Sequence, residues 1–312
     1  MPLVVAAAMT LVLAACGGPA DNGGDPADQR VAVLFPGLVD DQSWNQAGFE
    51  GLQRAEGEGA EIAYSENATQ DQQVELFRNY AQQGYNVVIG HGGEYMDAAL
   101  QVASEFPDVE FVVTNGNQSA DNVTSLALSY GDMGYLAGVL AGSMTDSNHI
   151  GVVVGETIPI AQDAMRGFEV GAQRVNPDVQ VSTSVTGDWA DVALAREAAL
   201  AHISNGADVL WHVLDAADAG VLSAAEDEGV YVIGLYADQS NLAPTAHIGA
   251  AISDASLVIY IAATGELDGE AHVEGVAEDV VSFGAYADVV PEEARQAVSE
   301  AEEDLASGEA EY

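Results

Sequence analysis

The side chains best suited to hold a ligand cluster just after short apolar runs. Between Phe35 and Gly48 the chain carries Asp40, Asp41, Gln42, Ser43, Trp44 and Asn45. Carboxylates, an indole and an amide at one strand-to-helix corner suit a planar, hydrogen-bonding molecule. Its ring would stack on Trp44 while Asp41 and Asn45 read its polar edge. The same pattern also fits an N-cap by Asp40, Asp41 or Ser43 followed by a core tryptophan. A second place is the turn Gly90, His91, Gly92, Gly93. Its glycines allow close backbone approach, and a neutral imidazole both donates and accepts hydrogen bonds. His91 there either contacts a ligand or caps the turn. Asp215, Asp218 and Asp238 follow later apolar runs; each carboxylate can hold a hydroxyl pair or cap a helix.

These residues need a scaffold, and its rhythm is visible from Arg30 onward. β-branched runs at residues 31–35, 61–64, 86–90 and 110–114 are followed by a second series at 150–155, 179–185, 208–213 and 231–235. Amphipathic stretches at 42–57, 70–83, 95–106, 161–175, 191–205 and 216–228 lie between them. Such alternation predicts βαβ units, an α/β fold with parallel sheets. Two series of the same rhythm predict two similar lobes. Further on come a helical run at 255–264, a strand candidate at 280–283 and an acidic helix with Pro291 as its first residue. The chain is therefore expected to cross between lobes more than once, through hinge crossovers. Lobe 1 is assigned residues 30–127 plus about 248–276, and lobe 2 residues 128–247 plus about 277–312. In open parallel sheets ligands bind at the carboxyl ends of strands, where the residues named above fall.

The first sixteen residues form an apolar run too short for a transmembrane helix, ending at Cys16. Leu13, Ala14, Ala15 and Cys16 have the order of a bacterial lipobox, which predicts a signal peptide over 1–15 and lipidation of Cys16. This is the only cysteine, so it has no disulfide partner and no companions for a metal site. The basic start expected of a signal peptide is missing, which points to a start codon upstream. Residues 17–29, rich in Gly, Pro, Asp and Ala, read as a flexible tether. What remains, roughly 280 residues, suits two lobes better than one core.

The chain holds 50 acidic against 7 basic residues, a formal net charge of −43. All seven basic residues are arginine. Such a surface is a poor match for the phosphates of nucleic acid. The acids are dispersed, as at Glu56, Glu58 and Glu61 or Glu226, Asp227 and Glu228. Dispersal predicts a solvated surface adapted to high salt, hence a halophilic source. Catalysis is not expected: no Gly-x-Ser-x-Gly and no His-Glu-x-x-His occurs, and the absence of lysine forbids a phosphate loop. The six histidines lack ligand spacing, so neither a metal nor another cofactor is expected.

The first loop, with its acidic pair, Ser43, Trp44 and Asn45, resembles the basic membrane protein family of bacterial substrate-binding lipoproteins, the purine nucleoside receptor-like group. The similarity continues through Tyr64 to Asn67, Ala81 to Tyr85, the Gly90 turn, Phe106 to Phe111, Tyr135 to Ala141, Gly167 to Ala172, Val175 to Asp178, Gly206 to Val209 and Asp238-Gln239. It covers nearly the whole chain after residue 30 by short matches in order. The resemblance implies two Rossmann-like lobes of the periplasmic binding protein type I kind. It further implies a nucleoside held in the cleft between aromatic rings, and a permease and ATPase of an ABC importer as partners. It implies an extracytoplasmic protein held at the cell membrane by its lipid. A receptor of the same fold that senses its ligand, or one that binds a sugar or other small metabolite, is the alternative.

Trp44 and Asn45 match the family's aromatic and amide. The second ring is expected from the other lobe, from Trp189, in a loop past a strand, or from Trp211, inside one; position favours Trp189. Two departures stand out. Nucleoside-binding members place an aspartate where this chain has Phe35, and a lysine where it reads Gly249 to Ser253. They leave open a different nucleoside, a free base or another small polar molecule. The ligand-binding set expected from sequence is thus Phe35, Asp41, Trp44, Asn45, His91, Gly92, Trp189, Asp215 and Asp238.

Overall fold

A computed structural model of the chain describes residues 27, 29–40, 44–265, 267–310 and 312. Cys16 and Asp41 lie outside the described residues, as do the expected signal peptide and most of the expected tether. The elements run, in order, β1 (Arg30–Leu34), α1 (Trp44–Gly57), β2 (Glu61–Ser65), α2 (Gln73–Gln82), β3 (Val87–Gly90), α3 (Met96–Ala103), β4 (Glu110–Thr114), β5 (Val123–Leu128) and α4 (Tyr130–Met144). Then follow β6 (His149–Val154), α5 (Pro159–Val175), β7 (Gln180–Val185), α6 (Val192–Ser204), β8 (Val209–Val213), α7 (Asp218–Glu228), β9 (Tyr231–Tyr236) and β10 (His247–Ser253). The last elements are α8 (Ala255–Thr264), β11 (Ala271–Glu274), β12 (Val281–Gly284) and α9 (Glu292–Ser307).

They build two six-stranded sheets of one plan, in the orders β2-β1-β3-β4-β5-β11 and β7-β6-β8-β9-β10-β12. Every pairing is parallel except β10 with β12. The central strands β3 (VVIG) and β8 (VLWHV) are buried at every position, as strands covered by helices on both faces must be. At the edges, β2 (EIAYS) and β7 (QVSTSV) mix exposed and half-buried residues. Sequence periodicity therefore found the centres of both sheets and placed most strands within a residue or two.

Three differences concern the connections. β10 was expected with the first lobe, but it pairs with β9 and β12 in the second sheet. The return to the first lobe therefore begins at Asp254, with α8 packed on α1 and on β3, β4 and β5. Pro291 precedes the last helix, in extended backbone with ψ 157°, instead of occupying its first turn. The third difference is α4, which sequence periodicity did not mark. Thirteen of its 15 residues are buried, packed by α5, α9 and the second sheet.

The α4 to α5 crossing is unusually close because glycines face backbone on both sides. A Cβ at Gly134 would meet the carbonyl oxygen of Ala164, one at Gly138 that of Phe168, and one at Gly171 that of Tyr135. The chain passes between sheets at Leu128 to Ser129, Ser253 to Asp254 and Glu274 to Gly275. These passages are tied to each other. Ser129 N–H donates to Glu274 O at 2.9 Å, Asp254 N–H to Val280 O at 2.8 Å, and Val276 N–H to Asp132 Oδ2 at 2.9 Å.

Candidate ligand site between the sheets

In the first lobe the end of β1, the start of α1 and the turn after β3 converge. Phe35 is fully buried, its ring set edge-on to Phe49, Tyr64 and His91. It lies beneath this corner, packed on all sides. Trp44 opens α1 and is half-buried. Its indole is stacked on the His91 imidazole with centroids 4.2 Å apart and planes 10° from parallel. His91 is itself fully buried, with Nε2 3.0 Å from the carbonyl of Trp44 and Nδ1 3.3 Å from Thr114 Oγ1. A carbonyl only accepts, so Nε2 carries the proton and Nδ1 accepts from the threonine hydroxyl. Asn45 is buried and its Oδ1 accepts from Gly37 N–H at 3.3 Å, which shapes the loop after β1. Gly92 has φ 144°, a conformation that favours glycine.

In the second lobe Trp189 follows β7, half-buried, its ring lying over Gly155 at the end of β6. Its carbonyl accepts from Asp215 N–H and Ala217 N–H, each at 3.1 Å. That tie fixes Trp189 to the loop after β8. Trp211 is fully buried and stacked on Phe168, 5.1 Å between centroids. Its indole N–H has no partner. Of the two competing tryptophans, Trp189 alone has exposed surface.

Asp215 is exposed at the residue level, yet protein atoms crowd its carboxyl. That burial, with Asp218 alongside, raises its pKa above the usual carboxylate range. Asp238 is exposed and accepts from Ser240 N–H at 2.9 Å; this bond holds its pKa low. Next to them stands a group that sequence reasoning missed. Tyr236 ends β9 with φ 69°, and its hydroxyl donates to that of Tyr130 at 3.4 Å. Burial first, then Tyr130, pushes the Tyr236 phenol well above its ordinary pKa. Gln239 donates to Asp218 and accepts from Leu235 N–H at 3.1 Å and His212 Nε2 at 3.2 Å. The only sequence signal for Tyr236 was its place at the carboxyl end of a strand.

Thus the structure gathers Phe35, Trp44, Asn45, His91 and Gly92 at one corner, and Trp189, Asp215 and the Tyr236 phenol at another. No cation joins them. Arg30, Arg78, Arg166, Arg174 and Arg196 pair with Glu61, Glu105, Asp163, Asp304 and Asp227. Arg54 lies 3.8 Å over the Tyr260 ring, and Arg295 donates to the carbonyls of Val290 and Ala287. The sequence holds no lysine, so no further permanently cationic side chain is available to either corner. A depression of about 420 Å³ lined by Ser65, Glu66, Gln72, Glu75, Leu76 and Asn79 lies beside β2 and α2, apart from both tryptophans. Among the described residues no cluster of three metal-ligating side chains occurs, and no helix is long and apolar enough to cross a membrane.

Two sheets of one plan, joined by three passages and carrying ring and polar side chains at strand ends, match the class of two-lobed solute-binding proteins. The chain belongs to the Bmp family, whose model, described as ABC transporter substrate-binding protein PnrA-like, matches residues 28–311. It is similar to the transcriptional activator protein med of Bacillus subtilis, 29% identical over 95% of this chain and 94% of that one. A purine-binding protein of Brucella abortus is 26% identical over 96% and 87%. The ABC transporter nucleoside-binding protein BmpA of Lactococcus lactis is 29% identical over 76% and 73%. Among solved structures, an ABC transporter solute-binding protein from Conexibacter woesei superposes with TM-score 0.73 at 27% identity, covering 91% of this chain and 98% of that one. The family model thus describes its members as substrate-binding proteins of ABC transporters.

Proposed function

We propose that this chain is the lipid-anchored receptor of an ABC importer and captures a purine nucleoside between its lobes. Cys16 carries the lipid, residues 17–29 form the tether, and a permease and ATPase receive the ligand. The observation that carries the ligand choice is Trp44, stacked on His91 and half-exposed at the start of α1. Its remaining face suits a planar base. Trp189 supplies the second ring, while Asp41, Asn45, Asp215 and Asp238 accept from amino and hydroxyl groups. The purine- and nucleoside-binding relatives support the same ligand. Because neither corner holds a cation, the ligand carries no phosphate. The test is a thermal-shift screen of nucleosides, bases and sugars in molar salt, since a ligand that binds only the folded state raises the melting temperature. A shift from adenosine or guanosine is expected; a shift from a sugar alone would overturn the choice.

A second reading, a sensing receptor of the same fold, is favoured by the relative named as a transcriptional activator. Lobe closure serves either readout. Deleting the chain's gene separates them: loss of nucleoside uptake supports import, and unchanged uptake with altered gene expression supports sensing.

A further inference from the structure

Trp44 is held from two directions by one side chain. The His91 imidazole stacks on its indole at 4.2 Å and donates from Nε2 to its main-chain carbonyl at 3.0 Å. The ring is fixed in turn by Thr114 Oγ1 at Nδ1 and by the edge of Phe35, 5.4 Å away. One turn further along α1, Gly48 makes room for it: a Cβ there would lie 2.6 Å from Nε2 and 2.8 Å from Cε1. A helix interior ordinarily prefers alanine to glycine. Glycine at 48 therefore has a steric reason, and the reason is His91.

We infer that His91 is a positioning residue that sets the Trp44 indole in its ligand-ready orientation, with Gly48 as the space that lets it do so. The inference rests on the proposed stacking role of Trp44. His91 has no solvent-facing surface, so it acts on the ligand through the indole. An aromatic side chain at the first residue of a helix otherwise has several rotamers to lose on binding. Stacking it beforehand removes that cost, the general gain of preorganisation.

The experiment is a double-mutant cycle of Gly48→Ala and His91→Ala in the full chain. Two quantities are read, the near-ultraviolet circular dichroism band assigned to Trp44 by subtracting the Trp44→Phe spectrum, and the affinity for adenosine by calorimetry. Each single change is expected to erase most of the Trp44 band without ligand and to weaken adenosine binding at least tenfold. In the His91→Ala background, Gly48→Ala should add nothing. His91→Phe, which keeps a stacked ring but not the donor, should restore part of both signals. An unchanged Trp44 band in both single variants, or effects that simply add, would overturn the inference. If wild-type protein binds no nucleoside, the proposed ligand fails, and the dichroism band alone still decides whether His91 orients Trp44.

Discussion

The Tyr312 hydroxyl donates to Asp132 Oδ1 at 2.6 Å, across 180 residues of chain. The other carboxylate oxygen accepts from Val276 N–H at 2.9 Å, so one aspartate at the start of α4 holds two distant segments beside the interlobe passages. Burial, with Asp132 alongside, raises the Tyr312 phenol above its ordinary pKa, and it stays a donor at neutral pH. Tyr312→Phe keeps the ring and deletes the bond. A half-buried hydrogen bond to a carboxylate contributes about 1–2 kcal/mol, and urea unfolding of this variant is expected to show a loss of that size.

The glycine-lined crossing of α4 on α5 makes an opposite sign from helix propensity. Alanine at 138 would favour the isolated helix by about 1 kcal/mol, but its Cβ would press on the Phe168 carbonyl, which is backbone and does not rotate away. Overpacking of this kind costs about 1–3 kcal/mol. Gly138→Ala and Gly171→Ala should both lower the denaturation midpoint, whereas alanine at the uncrowded Gly57 should not.

Three histidines of the second lobe, His202, His212 and His247, are buried, and burial lowers the pKa of each. An unfolded histidine titrates near 6.5. As pH falls through that value the unfolded chain takes up protons that the folded chain refuses, so stability drops. Half-buried Glu110 and Glu302 and buried Glu274 have pKa values raised by desolvation and act in the opposite sense, in the more acidic carboxylate range. His272, raised by Asp268, also opposes, but it is exposed and its contribution is small. Urea midpoints should therefore fall from pH 7.5 to pH 6. His247→Phe, replacing a ring whose nitrogens both lack partners, should flatten that fall.

Charge at the strand ends predicts selectivity. With all seven arginines engaged elsewhere, a phosphate group entering beside Asp215 and Asp238 would meet only negative charge. Adenosine should raise the melting temperature under conditions where adenosine monophosphate leaves it unchanged. Equal shifts from the two would contradict the proposed cation-free site.

A net charge of −43 repels itself over about 30 Å at 0.01 M salt but over only about 3 Å at 1 M. The melting temperature should climb steeply with sodium chloride, and identical melts in dilute buffer and molar salt would argue against a salt-adapted surface.

The strands at the sheet centres were legible because burial on both faces leaves unbroken apolar runs. α4 was not, for the related reason that a helix buried all round has no polar face and so no period. Its Gly131, Gly134, Gly138 and Gly142 also lower helix propensity, and their purpose shows only once the Tyr312 ring lies on the first and α5 lies across the other three. β10 (HIGAAIS) pairs with β9 through a register shift between His247 and Gly249, which no local pattern announces. The strand-end rule singled out Trp44, His91, Trp189 and Asp215 as candidates for the proposed site. It did not show that the His91 ring lies under Trp44, 47 residues away, or that Tyr130 meets Tyr236 across 106. Such pairs belong to the assembled fold.

The three tied passages have a mechanical consequence. Two rigid bodies joined by a single strand can twist, slide and bend relative to each other. Joined by three strands cross-linked through Asp132, Ser129 and Asp254, they resist twist and shear and keep bending as the one soft motion. Under the proposed import, ligand capture is thereby compressed into a single angle. A membrane partner sensing that angle would learn that the receptor is occupied, while the identity of the cargo would be decided earlier, at the strand ends.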